Sequence, residues 1–216
     1  MFKGREERGV RSEAGFAAAP RVFSRLPLFR ARTALAALLF SLLAACATQQ
    51  PPADVAKIDR VLTLIQQRLA IADDVARNKW NSGAPIEDLP REREIIEGIG
   101  KQAAGYGVAP ELARDFFRAQ IEASKLIQNA RFREWRAADQ RKFETVRDLA
   151  RDIRPALDAL TPEMMSALAA ALPALRASGT FATIHGRAAA IVTGVPADAP
   201  ARETAIAPLN RVSSPR

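Results

Sequence analysis

Apolar residues return at intervals of three and four along most of this chain, and no segment sustains the apolar-polar alternation of a strand. Ile58, Val61, Leu62, Ile65, Leu69, Ala72 and Ala76 form one stripe; Leu112, Phe116, Phe117, Ile121, Leu126, Ile127, Phe132 and Trp135 form another. This spacing gathers the apolar side chains on one face of an α-helix. The expected fold class is therefore all-α, a single-domain bundle of about six helices with no sheet.

Breakers divide the pattern. The first helix runs to about Asn81, where Ser82-Gly83-Ala84-Pro85 ends it. Asp88 has the character of an N-cap, with Pro90 in the first turn, and the second helix passes through Ile95, Ile96, Ile99 and Ala103 to end near Gly105 and Gly107. Pro110 opens the long third helix. Phe143 to Leu160 reads as helix with a kink or break at Pro155. Thr161-Pro162-Glu163 caps a further helix to about Ala177, and Ser178 caps a last one to about Val192. Residues 194–216, rich in Pro and Ala and basic at the end, read as a disordered tail. Of the 216 residues, 48% are hydrophobic and 26% charged, enough for one core, which places the folded domain at 54–193.

The formal charge of +8 invites a nucleic-acid reading, but the first 46 residues hold eight Lys/Arg against three Asp/Glu. Without them 24 cations face 21 carboxylates, a formal +3, and no basic run is interleaved with aromatics, so no nucleic-acid surface is expected. Arg25, Arg30 and Arg32 precede the apolar run Ala34 to Ala45, which is too short to span a bilayer as a helix of about 20 residues. A basic flank, a short apolar run and small residues at its end describe a signal peptide over residues 1–46. Leu43-Ala44-Ala45-Cys46 resembles the bacterial lipoprotein processing box, in which Cys46 becomes the lipid-bearing first residue; cleavage at Ala45-Cys46-Ala47 is the alternative. Either route exports the mature chain, to the periplasm or to a lipid anchor on its membrane face. Residues 47–53 form a polar, Pro-containing tether. Cys46 is the only cysteine, so no disulfide staples the domain.

Arg68, Lys79, Asp88, Arg91 and Glu92 crowd into one helix, loop and helix start. Arg68 and Lys79 are eleven residues apart, three turns and about 20°, so both project from one face roughly 16 Å apart and could hold the two ends of a dianion. Ser124 and Gln128 share a face of the third helix. One His and no carboxylates at ligand spacing argue against a metal, and no nucleophile has a base beside it, so neither metal nor cofactor is expected. Singly, each of these residues is ordinary: a solvated cation, an N-cap at Asp88. Trp80 and Trp135 read as packing residues, and His185 as a surface or structural one.

Jointly, Arg68, Lys79, Asp88, Arg91, Glu92, Ser124 and Gln128 resemble the active-site set of the all-helical (type II) chorismate mutases, at the family's spacings without a gap. The leader, the helical region after Trp135 and the strings Lys79 to Asp88 and Ala130 to Trp135 resemble the secreted (gamma) subclass. The resemblance spans about residues 55 to 165. In that subclass a further arginine comes from the C-terminal half of the same chain, and Arg154-Pro155-Ala156-Leu157-Asp158 matches the pattern, with Arg147 or Arg151 as alternatives. The resemblance implies an isomerase without a cofactor, a homodimer with each site inside one chain, and chorismate as the dicarboxylate substrate. It assigns Arg68 and Arg154 to the carboxylates with Arg91 in support, Lys79 to a carboxylate and the breaking ether oxygen, and Gln128 to that oxygen from the other side. Ser124 is assigned to a carboxylate, and Glu92 with the Asp88 loop to the ring hydroxyl. Two other functions remain open, a non-catalytic helical envelope lipoprotein and a binder of small carboxylates on the same fold.

Overall fold

The structure is a computed structural model in which residues 52–213 are described. The leader with Cys46, most of the tether and residues 214–216 lie outside the described residues. Six α-helices account for most of the remainder: α1 Ala53–Ser82, α2 Leu89–Gln102, α3 Pro110–Ala137, α4 Arg154–Arg176, α5 Thr180–Ile191 and α6 Asp198–Ser213. A 3-10 turn, Ala103–Tyr106, follows α2, and a π-turn, Leu149–Ile153, precedes α4. No strand occurs among the described residues.

The stop after α1 and the starts of α2 and α3 fall where the sequence signals stand. Gly83 closes α1 at φ 72°, a left-handed conformation that costs glycine least. Asp88 caps α2 through its side chain, which accepts from the Arg91 N–H at 3.2 Å. Pro110 sits in the first turn of α3, where its missing N–H leaves no helical bond unmade. The stripe on α1, with Ile58, Leu62, Ile65 and Leu69 almost wholly buried, packs against α3 and α4 in one core with Phe116, Phe117 and Ile127. Beside it Trp80, Phe132, Trp135 and Phe143 form an aromatic cluster with ring centroids 5.0 to 5.9 Å apart, the packing role expected of both tryptophans. His185 is structural too: its Nδ1 lies 3.2 Å from Glu203, Nε2 lies 3.0 Å from the Asn210 amide, and the Phe181 ring stacks at 4.3 Å.

Four expectations for the C-terminal half are corrected, the simplest being that α5 begins after Gly179 at φ 80° with no side-chain cap, so Ser178 does not cap it. Residues 143–148 are not helical, and Pro155 neither kinks nor breaks a helix; it lies in the first turn of α4, where proline is tolerated. Thr161-Pro162-Glu163 caps nothing, because α4 runs through it to Arg176 with Pro162 and Pro173 inside. Both prolines are exposed, so the carbonyls they leave unpaired lie on the solvent side, while Met164, Met165, Leu168, Leu172 and Leu175 hold the helix by burial. The folded region also passes residue 193. Residues 198–213 form α6, whose Ala201, Ala205, Ile206 and Leu209 are completely buried, and α6 packs along α3. Small residues at four-residue intervals let α6 lie close to α3, where Gln120 Nε2 donates to the Ala205 carbonyl at 2.9 Å.

Candidate active site

Four helices and one loop enclose a cavity of about 150 Å³ between α1, α2, α3 and the start of α4. Arg68, Lys79, Asp88, Arg91, Glu92, Ser124, Gln128 and Arg154 all line it. Apolar side chains, among them Ile71, Val75, Ile86, Ile95, Ile121 and Leu157, supply the rest of the wall. A mostly apolar wall with a few converging polar groups is the usual form of a small-molecule site.

Arg68 is 7% exposed, and its Nε has no hydrogen-bond partner among the described residues. Burial pulls its pKa down to about 10, with Asp158 opposing the shift; the guanidinium is still charged at neutral pH. A buried, unpaired cation is costly, and a bound carboxylate would remove that cost. Lys79 reaches back across the break to donate to the Ile86 carbonyl at 2.5 Å, which aims the side chain along the cavity. Its pKa is lowered, first by burial, with Asp88 and Glu92 resisting and Arg154 and Lys125 adding to the shift.

Asp88 combines its capping bond with a place in the cavity wall. Glu92, one turn on, accepts from the Asp88 N–H at 3.3 Å with Oε1 and from Lys125 at 3.2 Å with Oε2. Arg91 is held at 2.7 Å by Glu94 on the outer side. Gln128 is 4% exposed; its Nε2 donates to Ser124 Oγ at 3.1 Å, which leaves the second N–H of that amide group free for a ligand.

The arginine from the C-terminal half arrives by a strap. Asn81 and Phe143 exchange two hydrogen bonds, Asn78 donates to the Arg147 carbonyl at 3.0 Å, and Arg147 bonds Asp74 at 2.8 Å, all along the outside of α1. The π-turn follows, capped by Asp148, which accepts from the Ala150 and Arg151 N–H groups at 2.9 and 2.7 Å. Its extra residue per turn delivers Arg154 to the cavity, where a π-turn at a functional position is common. Arg147 is spent on Asp74, and Arg151 points outward with 82% of its side chain exposed, so neither lines the cavity.

Sequence reasoning missed Lys125, Asp158 and Thr161 in the wall. Lys125 carried a readable signal, three residues before Gln128 and four after Ile121, but Glu122 three residues before it imitates a surface ion pair. The cavity wall carries five cations (Arg68, Lys79, Arg91, Lys125, Arg154) and three carboxylates (Asp88, Glu92, Asp158), a surplus of two positive charges among the lining residues. Among the described residues no group of His, Cys, Asp and Glu is arranged to hold a metal.

These features describe a cavity between helices with a few charged groups converging on a mostly apolar wall, and comparison with known proteins names the class. The profile of the family "Chorismate mutase type II" matches residues 53–129. The secreted chorismate mutase of Mycolicibacterium smegmatis is 30% identical over 142 residues, 65% of this chain and 78% of that one. That of Mycobacterium tuberculosis is 29% identical over 130 residues, 60% of this chain and 65% of that one. The crystal structure of the chorismate mutase from Burkholderia phymatum superposes with a TM-score of 0.66 at 30% identity, covering 73% of this chain and 98% of that one. The chain belongs to the chorismate mutase type II family. Within it, the relatives place the chain with the secreted, all-helical chorismate mutases.

Proposed function

We propose that this protein is an exported chorismate mutase, an isomerase that converts chorismate to prephenate by an intramolecular Claisen-type rearrangement. The observation that carries the reading is the convergence of eight side chains from four helices and the loop before α2 on one cavity whose charge surplus suits a dicarboxylate. The reaction transfers no proton and forms no covalent intermediate, so the protein must hold the folded, reactive conformer and stabilise the charge that develops on the ether oxygen as its bond breaks.

Arg68 and Arg154 take the two carboxylates, the planar guanidinium forks suiting bidentate pairing, and Arg91 adds cationic support. Ser124 donates its hydroxyl hydrogen to a carboxylate while still accepting from Gln128. Lys79 and the free N–H of Gln128 approach the ether oxygen from opposite sides. Glu92 and the Asp88 loop receive the ring hydroxyl. A scaffold that had abandoned catalysis, or that bound carboxylates without chemistry, would have no need of Lys79 and Gln128 at a breaking bond in addition to the carboxylate clamps.

The mature protein works outside the cytoplasm, as the secreted relatives and the leader suggest, either free in the periplasm or anchored through Cys46. It forms a homodimer with each site inside one chain, the assembly implied by family resemblance. Mass and sedimentation of the mature protein test both points: an unlipidated N-terminus excludes the anchor, and a monomer excludes the dimer. The decisive experiment mixes the purified mature domain with chorismate and a chelator. Prephenate is expected to form, and Arg154→Ala is expected to lower kcat/KM by at least about tenfold. No prephenate from the intact protein would overturn the reading; full activity of Arg154→Ala would overturn only that arginine's role.

A further inference from the structure

A carboxylate in the wall of a site for a dianion poses an electrostatic problem. An ionised Glu92 is a good acceptor for a ring hydroxyl, but its charge repels the substrate's own carboxylates across a cavity whose wall is mostly apolar. Lys125 is placed to resolve this. It lines the cavity from α3, its side chain is 12% exposed, and its Nζ lies 3.2 Å from Glu92 Oε2 and 2.7 Å from Glu122 Oε1. Glu92 in turn is 20% exposed and bonded through its other oxygen to the Asp88 N–H. The carboxylate is thus pinned from both sides, by the α2 backbone and by a cation on the neighbouring helix, and each oxygen retains a second lone pair.

We propose that Lys125 is a positioning residue for the rearrangement: shared between Glu122 and Glu92, it offsets the charge of Glu92 and fixes its carboxylate, so that an oxygen lone pair accepts the substrate's ring hydroxyl with less repulsion of the substrate's carboxylates. This rests on the mutase reading and deepens it. Without Lys125 the Glu92 carboxylate loses its cation and is free to turn toward Lys79 or Arg91. Its pairing with Glu122 keeps Lys125 charged: burial lowers the ammonium pKa, and the hydrogen bonds and charges of Glu122 and Glu92 more than reverse that, for a net upward shift.

The test is a double-mutant cycle on the mature protein, read as kcat and KM for chorismate with thermal unfolding as a control. Lys125→Met is expected to lower kcat/KM about tenfold, mainly through KM, the scale of one hydrogen bond to a charged group. Lys125→Arg is expected to retain most of the activity. In a Glu92→Gln background, where no charge remains to be cancelled, Lys125→Met is expected to cost almost nothing further. If Lys125→Met does not fold, Lys125→Gln takes its place in the cycle. Independent, multiplicative losses in the double variant would show that Lys125 acts apart from Glu92 and overturn the proposal, as would wild-type activity in the single variant. A wild-type protein without mutase activity overturns the mutase reading and this role together; an active wild type with an indifferent Lys125 overturns only the latter.

Discussion

Gln128 decides how the site responds to pH. Its amide donates at any pH, whereas a glutamate in its place would have to carry a proton before it could donate to an ether oxygen. Activity is therefore expected to stay level from mildly acidic through neutral pH; a steep loss across that range would contradict the assignment. Gln128→Glu should convert the level profile into one that falls as pH rises through the glutamate's pKa. On the alkaline side the sign follows from Lys79. The charged ammonium is the useful form, and because burial lowers its pKa below the ordinary lysine value of 10.5, activity should begin to fall at lower pH than a free lysine would dictate. If both groups act on charge that grows in the transition state, Lys79→Ala and Gln128→Ala should each lower kcat by about a hundredfold or more and move KM much less. Matched losses in substrate affinity would assign them to ground-state binding instead.

Among the elements, the π-turn at Leu149–Ile153 gives the site its arginine. Nothing in local periodicity announces it. The strap before it is held by side-chain bonds from Asn78 and Asn81 to backbone 62 to 69 residues away, and such pairing leaves no trace in the spacing of apolar residues. The helices α1 to α3 were legible because their signals are local: stripes of three and four, a glycine stop, an Asp-x-Pro start. Seven of the eight side chains at the cavity share the joint pattern that resembles the family's, while Arg154 rests on a separate match with Arg147 and Arg151 as alternatives, and the path that brings it there could not be read. The turn is capped by Asp148, whose carboxylate pKa is held below its usual value, first by the Arg151 backbone N–H, and whose own N–H donates to the Asp152 carboxylate at 2.8 Å. Asp148→Ala should leave α4 and its buried face intact by circular dichroism, yet raise KM for chorismate by about tenfold because Arg154 loses its register, a displacement of the kind that costs rate even at a distance from the chemistry. An unchanged KM would show that the flanking strap positions Arg154 unaided.

For the molecule as a whole, α6 shows why Pro and Ala content misleads. Three prolines within residues 196–208 suggest disorder, but Pro200 lies in the first turn of α6 and only Pro208 interrupts its interior. The alanines that look featureless are the surface along which α6 approaches α3, and Gln120 ties the two together by reaching the Ala205 carbonyl from inside the core. Helix α6 lines no part of the active cavity. Its contribution is therefore expected in the stability of α3, which carries Ser124, Lys125 and Gln128, and not in the chemistry. Leu209 is fully buried in the core, and replacing it with alanine removes three carbons from that packing. Leu209→Ala should cost about 2 to 5 kcal/mol in denaturant unfolding, while kcat/KM per folded molecule stays near the wild-type value at temperatures well below the transition. A variant that unfolds as the wild type does would place α6 outside the cooperative unit. One that remains folded but loses rate would mean that strain in α6 reaches Gln128 along α3, and the division between scaffold and site would then have to be drawn further from the cavity.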